Sequence, residues 1–127
     1  MEKHHFEQAK LWLEGAKFIG TRELEDKNKY SVAVAMLIHS IIKGNDALTL
    51  KFLNTTARRH DEARKLFEEV VKRNFIKSEY SNYKDILQDA INNKAKAEYR
   101  LAFFSKHDFE DMFRKSEKFL KMVTQYC

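Results

Sequence analysis

The stretch Ser31-Val-Ala-Val-Ala-Met-Leu-Ile38 decides the fold, and it opens a longer segment that runs from Tyr30 to about Leu53. A helix formed by this stretch is apolar on every side, whereas a surface helix is apolar on one face only. We therefore predict a central helix that other helices surround.

The composition of the whole chain also favours helices. The sequence has three glycines and no proline, so the turn residues that punctuate a β-protein are largely missing. A length of 127 residues suits one hydrophobic core. We expect a single all-α domain that covers residues 1–127.

Four further segments repeat apolar residues at helical spacing. They run from Glu2 to about Glu25, from about Ala57 to Arg73, from about Glu79 to Phe103, and from about Phe109 to the C-terminus. Asn28 is a candidate cap for the central helix, and Ser105 or Asp108 for the last one. With only short connections between them, the helices predict an antiparallel up-and-down bundle of four to five helices.

Several classes of protein are disfavoured. Cys127 is the only cysteine, which leaves no internal disulfide and favours either a reducing compartment or indifference to redox state. The longest apolar run, 32–38, is too short to cross a membrane, so we expect a cytoplasmic protein without a membrane contact. No cluster of His, Cys, Asp or Glu has ligand spacing, and we expect neither a metal nor a cofactor.

The charges permit a nucleic-acid ligand without indicating one. The formal net charge is +5, but basic and acidic residues are interspersed rather than gathered in a block.

A polar stripe lies on the central helix. His39, Lys43 and Asp46 are spaced i, i+4 and i+7, so they share one side of the most apolar element. Buried polar groups need partners, since each one left unpaired costs about 1–3 kcal/mol. We expect an internal polar network or a subunit interface here, with a ligand pocket next to Arg59 as the alternative.

The sequence Arg58-Arg59-His60 begins the third predicted helix. Two guanidinium groups beside free backbone donors at a helix start can bind a phosphate. Asp61 and Glu62 follow at once, and they stabilise the same helix end without any ligand. Both interpretations remain open.

Arg100 and His107 form the one pair with the parts of a nuclease. Six residues separate them near the end of the fourth predicted helix. His107 would accept the proton of a ribose 2′-hydroxyl, and Arg100 would stabilise charge on the phosphate. On one straight helix they would stand roughly 10 Å apart, so a site needs a break in the helix or a second subunit. The alternative is an exposed helix edge and an exposed turn.

Three places resemble the HEPN (higher eukaryotes and prokaryotes nucleotide-binding) family, in the same order along the chain. They are the small and apolar core of residues 30–53 with its Asp46-Ala-Leu-Thr-Leu end, Arg59-His60 with Leu66-Phe67 following, and Ala97-Glu98-Tyr99 before a final amphipathic helix. The resemblance covers essentially the whole chain. It implies a HEPN-like helical bundle that pairs as a homodimer.

The resemblance implies several family roles: nucleotide or RNA binding, partnership with a separate nucleotidyltransferase, and metal-independent RNA cleavage by toxin-like members. Arg100 and His107 match the spacing of the cleaving members, but Leu101 and Phe109 stand where those members have a polar residue and a tyrosine. Another branch carries Arg-x-x-Ala-Asp-Tyr, and here Lys94 and Glu98 replace its Arg and Asp.

These departures set the order of the two functional hypotheses. The leading one is a binding or interaction module for a nucleotide, RNA or a partner protein, without assured catalysis. The alternative is a metal-independent endoribonuclease that uses Arg100 and His107. Lys94 and Tyr99 join Arg58, Arg59, His60, His39, Lys43 and Asp46 as candidate ligand-binding or phosphate-binding residues.

Overall fold

The computed structural model describes residues 1–23, 26–99 and 103–127, with only the backbone at 98 and 99. Helices make up the secondary structure of these ranges, and none of them contains a strand. The five α-helices are α1 (Glu2–Thr21), α2 (Asn28–Leu53), α3 (His60–Lys72), α4 (Lys84–Tyr99) and α5 (Lys106–Thr124), and a short 3₁₀ helix, Ser78–Tyr83, precedes α4. The prediction of an all-α helical bundle is confirmed.

Helix α2 is the centre of the bundle, as its sequence predicted. It packs against each of the other four α-helices. Leu37, Ile38, Ile41 and Leu48 are at most 1% exposed, because a neighbouring helix covers each side. Burial of large aliphatic side chains contributes about 1.5–3 kcal/mol each, so this helix supplies much of the core.

Small residues bring α1 close to α2. Ala9 and Ala16 of α1 are fully buried. The hydroxyl of Ser40 donates a hydrogen bond of 2.8 Å to the carbonyl oxygen of Ala9. Further along, Gly15 lies against Met36, where a Cβ would come within 2.5 Å of the Met36 Cε. As the residue number rises in α1 it falls in α2, so the two helices are antiparallel.

Helix α5 runs in the same direction as α2. The Ser116 hydroxyl of α5 lies 3.4 Å from the carbonyl oxygen of Leu37 in α2. The next contact, between Leu120 and Gly44, lies further towards the C-terminus in both helices. Two helices that advance together in this way have their N-termini at the same end of the bundle.

Residues 54–59 also bring the chain back along α2. Asn54 ends α2 with a φ of 56°, a left-handed conformation that asparagine tolerates. The Asn45 amide then donates to the carbonyl oxygen of Ala63 at 3.2 Å, and Phe52 stacks on Phe75 beyond the end of α3. Helix α3 thus advances beside α2 in the same direction, whereas the sequence predicted strict up-and-down alternation.

Several helix starts differ from their predictions, and α3 begins at His60 rather than at about Ala57. Asn28 is the first residue of α2 rather than its cap, and its backbone N–H donates to the Asp26 carboxylate at 2.9 Å. In the fourth segment, the residues from Ser78 form a 3₁₀ helix before α4 begins at Lys84. The predicted end of the first helix at Glu25 lies outside the described residues.

The start of α5 has the cap that its sequence predicted. The backbone N–H of Asp108 donates to the Ser105 hydroxyl at 3.1 Å, and the backbone N–H of Ser105 donates to the Asp108 carboxylate at 2.9 Å. This reciprocal capping box fixes the first turn of α5, and with it the position of His107. In the part of the chain that the structure describes, no helix has the length and apolar character needed to span a membrane.

Candidate functional site

A cleft of about 670 Å³ lies where the end of α1, the start of α2 and the first half of α5 meet. Its lining combines aromatic rings with many charged side chains. The lining residues are Lys17, Gly20, Thr21, Arg22, Glu23, Lys29, Tyr30, Lys106, His107, Phe109, Glu110, Phe113 and Arg114.

The floor of the cleft is aromatic. The Phe109 ring lies between those of Tyr30 and Phe113, with centroid distances of 6.0 Å and 5.8 Å. Gly20 makes this position possible, because a Cβ there would lie only 2.2 Å from the Phe109 ring. The cleft therefore depends on a glycine in α1 that admits a ring from α5.

The rim of the cleft is basic. Six lining residues are Lys, Arg or His and two are Glu, which leaves an excess of positive charge. Some cations already have protein partners: Lys29 donates to the carbonyl oxygen of Arg22 at 2.7 Å, and Arg114 pairs with Asp111 at 3.3 Å. Such exposed pairs contribute at most about 1 kcal/mol, so an anionic ligand can replace them at little cost.

His107 is one of the predicted site residues, and the structure places it on this rim. It is exposed in the first turn of α5. Arg100, its predicted partner, lies outside the described residues, and so does the side chain of Tyr99. Of the two, the structure describes His107, which lines the cleft.

His39 and Lys43 face a second surface cavity, of about 630 Å³, between α1 and α2. The His39 ring stacks on Trp12 with a centroid distance of 5.0 Å and an interplanar angle of 25°. Met36, Leu11 and Gln8 complete the lining, so most of this cavity is apolar. Arg59 does not contribute to it, although the sequence allowed a pocket beside that arginine.

Asp46, the third member of the stripe, is buried rather than facing this cavity. It is 9% exposed. Burial raises the pKa of its carboxyl from 3.8 to about 6, and the positive charge of Lys43 offsets this effect only in part. The polar stripe is thus split between the surface and the core.

The segment Arg58-Arg59-His60, in contrast, lies wholly at the surface. Arg58 and Arg59 are exposed and precede α3, which begins at His60. The Arg59 guanidinium lies 3.8 Å from Asp61 and 3.6 Å from Glu62. These contacts agree with the interpretation in which the acidic pair stabilises the helix start.

His60 and Lys94 were predicted separately, and the structure brings them together. The Lys94 ammonium lies 2.8 Å from Nε2 of His60. A hydrogen bond at this distance requires the neutral imidazole, with Nε2 as the acceptor. The contact links the start of α3 to α4.

A polar network links α4 to α5. Lys115 donates to Asp89 at 2.8 Å and lies 3.0 Å from Asp111. The hydrogen bond from Lys115 is the main cause that holds the pKa of Asp111 below its ordinary value. Among the described residues, no group of three or more His, Cys, Asp or Glu side chains is placed to hold a metal ion.

Comparisons with protein families, curated proteins and solved structures find no match to this chain.

Most residues of the cleft were not predicted as site residues. Lys17, Lys29 and Arg114 are single cations in three separate helices, and Arg22 follows the end of α1, so in the sequence they resemble ordinary solvated residues. The one signal in the sequence was the presence of three basic and two aromatic residues among the nine from Lys106 to Arg114, with three acidic residues between them. It becomes informative only when α1 and α2 supply the opposite wall.

Proposed function

We propose that this chain is a HEPN-like binding module and that it binds a nucleotide, free or within RNA, in the cleft between α1, α2 and α5. The observation that supports the proposal best is the cleft itself, with its basic rim above an aromatic floor. The resemblance of the central helix and of the segment around His60 to the HEPN family supports it independently.

The chemistry of the lining suits a nucleotide. Lys and Arg side chains bind phosphate oxygens through charge-assisted hydrogen bonds, which are about twice as strong as neutral ones. A base can stack on an aromatic side chain, and such stacking contributes about 1–3 kcal/mol per base. Tyr30 and Phe113 are half-buried, so part of each ring faces the cleft while the rest packs on the core.

Isothermal titration calorimetry with adenosine and uridine monophosphates tests the proposal. Replacing both Lys17 and Arg22 with glutamine should weaken binding about tenfold or more, because each lost charged hydrogen bond costs on the order of 1 kcal/mol at an exposed site. The control variant K65Q/K72Q removes two exposed charges from α3, away from the cleft. Equal affinities for the cleft variant and the control variant would refute the assignment of the site.

Metal-independent endoribonuclease activity is the second candidate, and the position of His107 favours it. The imidazole stands exposed on the basic rim of the proposed nucleotide site. Cleavage of RNA by the purified protein in EDTA, lost in His107→Ala and in Arg100→Ala, would establish this activity. Binding without cleavage in the same assay would leave the binding module as the function.

The proposal includes a homodimer or a complex with a separate nucleotidyltransferase. Leu11, Phe18 and Val32, on α1 and α2, are 66%, 61% and 52% exposed. Large apolar side chains grouped on one side of a protein mark an interaction surface more often than a solvated one. Sedimentation of the chain alone tests the homodimer: self-association that Leu11→Glu abolishes supports it, and a monomer at all concentrations refutes it.

A further inference from the structure

We propose that the ligand of the cleft is a single-stranded polynucleotide, and that the strand continues from the cleft along the outer face of α5. This inference rests on the proposed nucleotide site. It adds the substrate class and a second stretch of binding surface.

The outer face of α5 carries a row of cations that begins in the cleft. His107 and Arg114 line the cleft, and Lys118 and Lys121 follow at the next helical turns. The spacings of seven, four and three residues place all four on one side of the helix, and all four are exposed. We call this row the basic ridge.

The ridge has the length of a short strand. At 1.5 Å per residue, the segment from His107 to Lys121 extends roughly 21 Å along the axis. At a stacked rise of about 3.4 Å per nucleotide, this length accommodates about six nucleotides. A mononucleotide would occupy the cleft and leave the rest of the ridge unused.

Acidic residues limit the path to one track. Glu110 and Glu117 lie on one flank of the ridge, and Asp111, which is paired with Arg114 and Lys115, lies on the other. A wide double helix would bring phosphates against these carboxylates, whereas a single strand can follow the cations between them. The geometry therefore favours a single strand over a duplex.

An aromatic ring accompanies the cations at the far end. The Lys118 ammonium lies 5.1 Å from the centroid of the Tyr83 ring, and Tyr83 in turn makes an edge contact with Tyr80. Cations that follow the backbone beside rings on which bases stack are the common arrangement of single-strand binding surfaces. The ridge thus repeats at its far end the combination found in the cleft.

The test measures binding of uridine monophosphate and of oligouridylates up to about eight nucleotides, at several salt concentrations. Affinity should rise with length up to about six nucleotides. The slope of log affinity against log salt should be steeper for the longest oligomer than for the monophosphate by about 1.4, since Lys118 and Lys121, the two ridge cations outside the cleft, add two phosphate contacts at about 0.7 each.

The variant K118Q/K121Q should lose about tenfold in affinity for the longest oligomer and reduce its salt slope by about 1.4. Its affinity for uridine monophosphate should not change. The control variant K65Q/K72Q, with the same loss of charge, should bind every ligand as the wild type does.

The outcomes separate the two proposals. If the monophosphate binds but affinity is independent of length, or if K118Q/K121Q behaves like the control, the strand is refuted and the nucleotide site stands. If neither monophosphate nor oligomer binds, both are refuted. If polyglutamate or an RNA duplex competes as well as the single strand, the ridge is a general polyanion surface and the inference is wrong.

Discussion

Replacing Asp46 with asparagine should change how the free energy of unfolding depends on pH. The carboxyl lies in α2, and its residue is 9% exposed. Its burial raises the pKa from 3.8 to about 6, because the charged form loses hydration that the nearby Lys43 does not fully replace. Asparagine has nearly the same shape and carries no charge at any pH.

The sign follows from the two protonation equilibria. Below pH 3.8 the carboxyl is neutral in both the folded and the unfolded chain, so the variant and the wild type should be similarly stable. Between pH 3.8 and about 6 the unfolded chain ionises first, so the wild type loses stability as the pH rises. At about 1.4 kcal/mol per pH unit, the loss reaches about 3 kcal/mol and stays constant above pH 6.

Urea denaturation of both proteins from about pH 4 to pH 8 measures this difference. Asp46→Asn should gain stability over the wild type across that range, by up to about 3 kcal/mol at pH 7. Asp85→Asn, at an exposed aspartate in the first turn of α4, is the control and should show no such gain. If the free energies of unfolding of Asp46→Asn and the wild type differ by the same amount at about pH 4 and at about pH 8, the prediction is wrong. Such a result would mean that the Asp46 carboxyl has the same pKa in the folded and unfolded chains.

Three further predictions concern the walls of the cleft and the helices that hold it. Gly20→Ala should push the Phe109 ring out of the floor of the cleft, destabilise the fold by about 1–3 kcal/mol and weaken nucleotide binding. The control is Gly15→Ala, whose Cβ meets only the flexible end of Met36. Its thermal unfolding and nucleotide binding should stay close to those of the wild type. Ser105→Ala should lower the free energy of unfolding by about 1 kcal/mol through loss of the capping box, and Ser105→Thr should recover most of it in urea titrations. Lys115→Met should cost about 1 kcal/mol at neutral pH, after allowance for solvent screening. Because Lys115 lowers the pKa of Asp111, this cost should disappear as the pH falls below the ordinary value of 3.8, and a cost that persists in acid would contradict it.

The sequence predicted those parts of the fold that depend on local pattern. The all-round apolar character of 31–38 predicted a central helix, and the structure shows one packed against four others. Ser105 was a predicted cap and forms one. Burial and capping act over one to two helical turns, so the spacing of neighbouring residues is sufficient to reveal them.

The direction of α3 is a different kind of property. Nothing in the periodicity of the third segment distinguishes a helix that turns back from one that advances beside α2. The choice is made by residues 54–59, by the left-handed conformation of Asn54, and by the contacts of Asn45 and Phe52 with residues some twenty positions away. Such contacts depend on tertiary packing, which a single sequence does not display.

The cleft was missed for the same reason. His107 was predicted as a site residue because, together with Arg100, it has the residue types of a nuclease site. The Phe109 ring counted as an ordinary core residue, and only the approach of Gly20, about ninety residues earlier in the chain, makes it the floor of a cavity. A site formed by the ends of three helices can be recognised only when the tertiary arrangement of those helices is known.

The parallel course of α2 and α5 supports the proposal that the cleft binds an anion. It brings the N-termini of both helices to the same end of the bundle, where Lys29 and Lys106 begin their first turns. Each helix start carries a partial positive charge of roughly half an elementary charge, from backbone N–H groups without helical partners. The C-terminus of α1, at Thr21, ends at the same place and opposes this field, but Lys17 and Arg22 beside it compensate. An antiparallel α5 would have placed carbonyl groups there, and the same lysines would then have served to neutralise the helix end rather than to attract a phosphate.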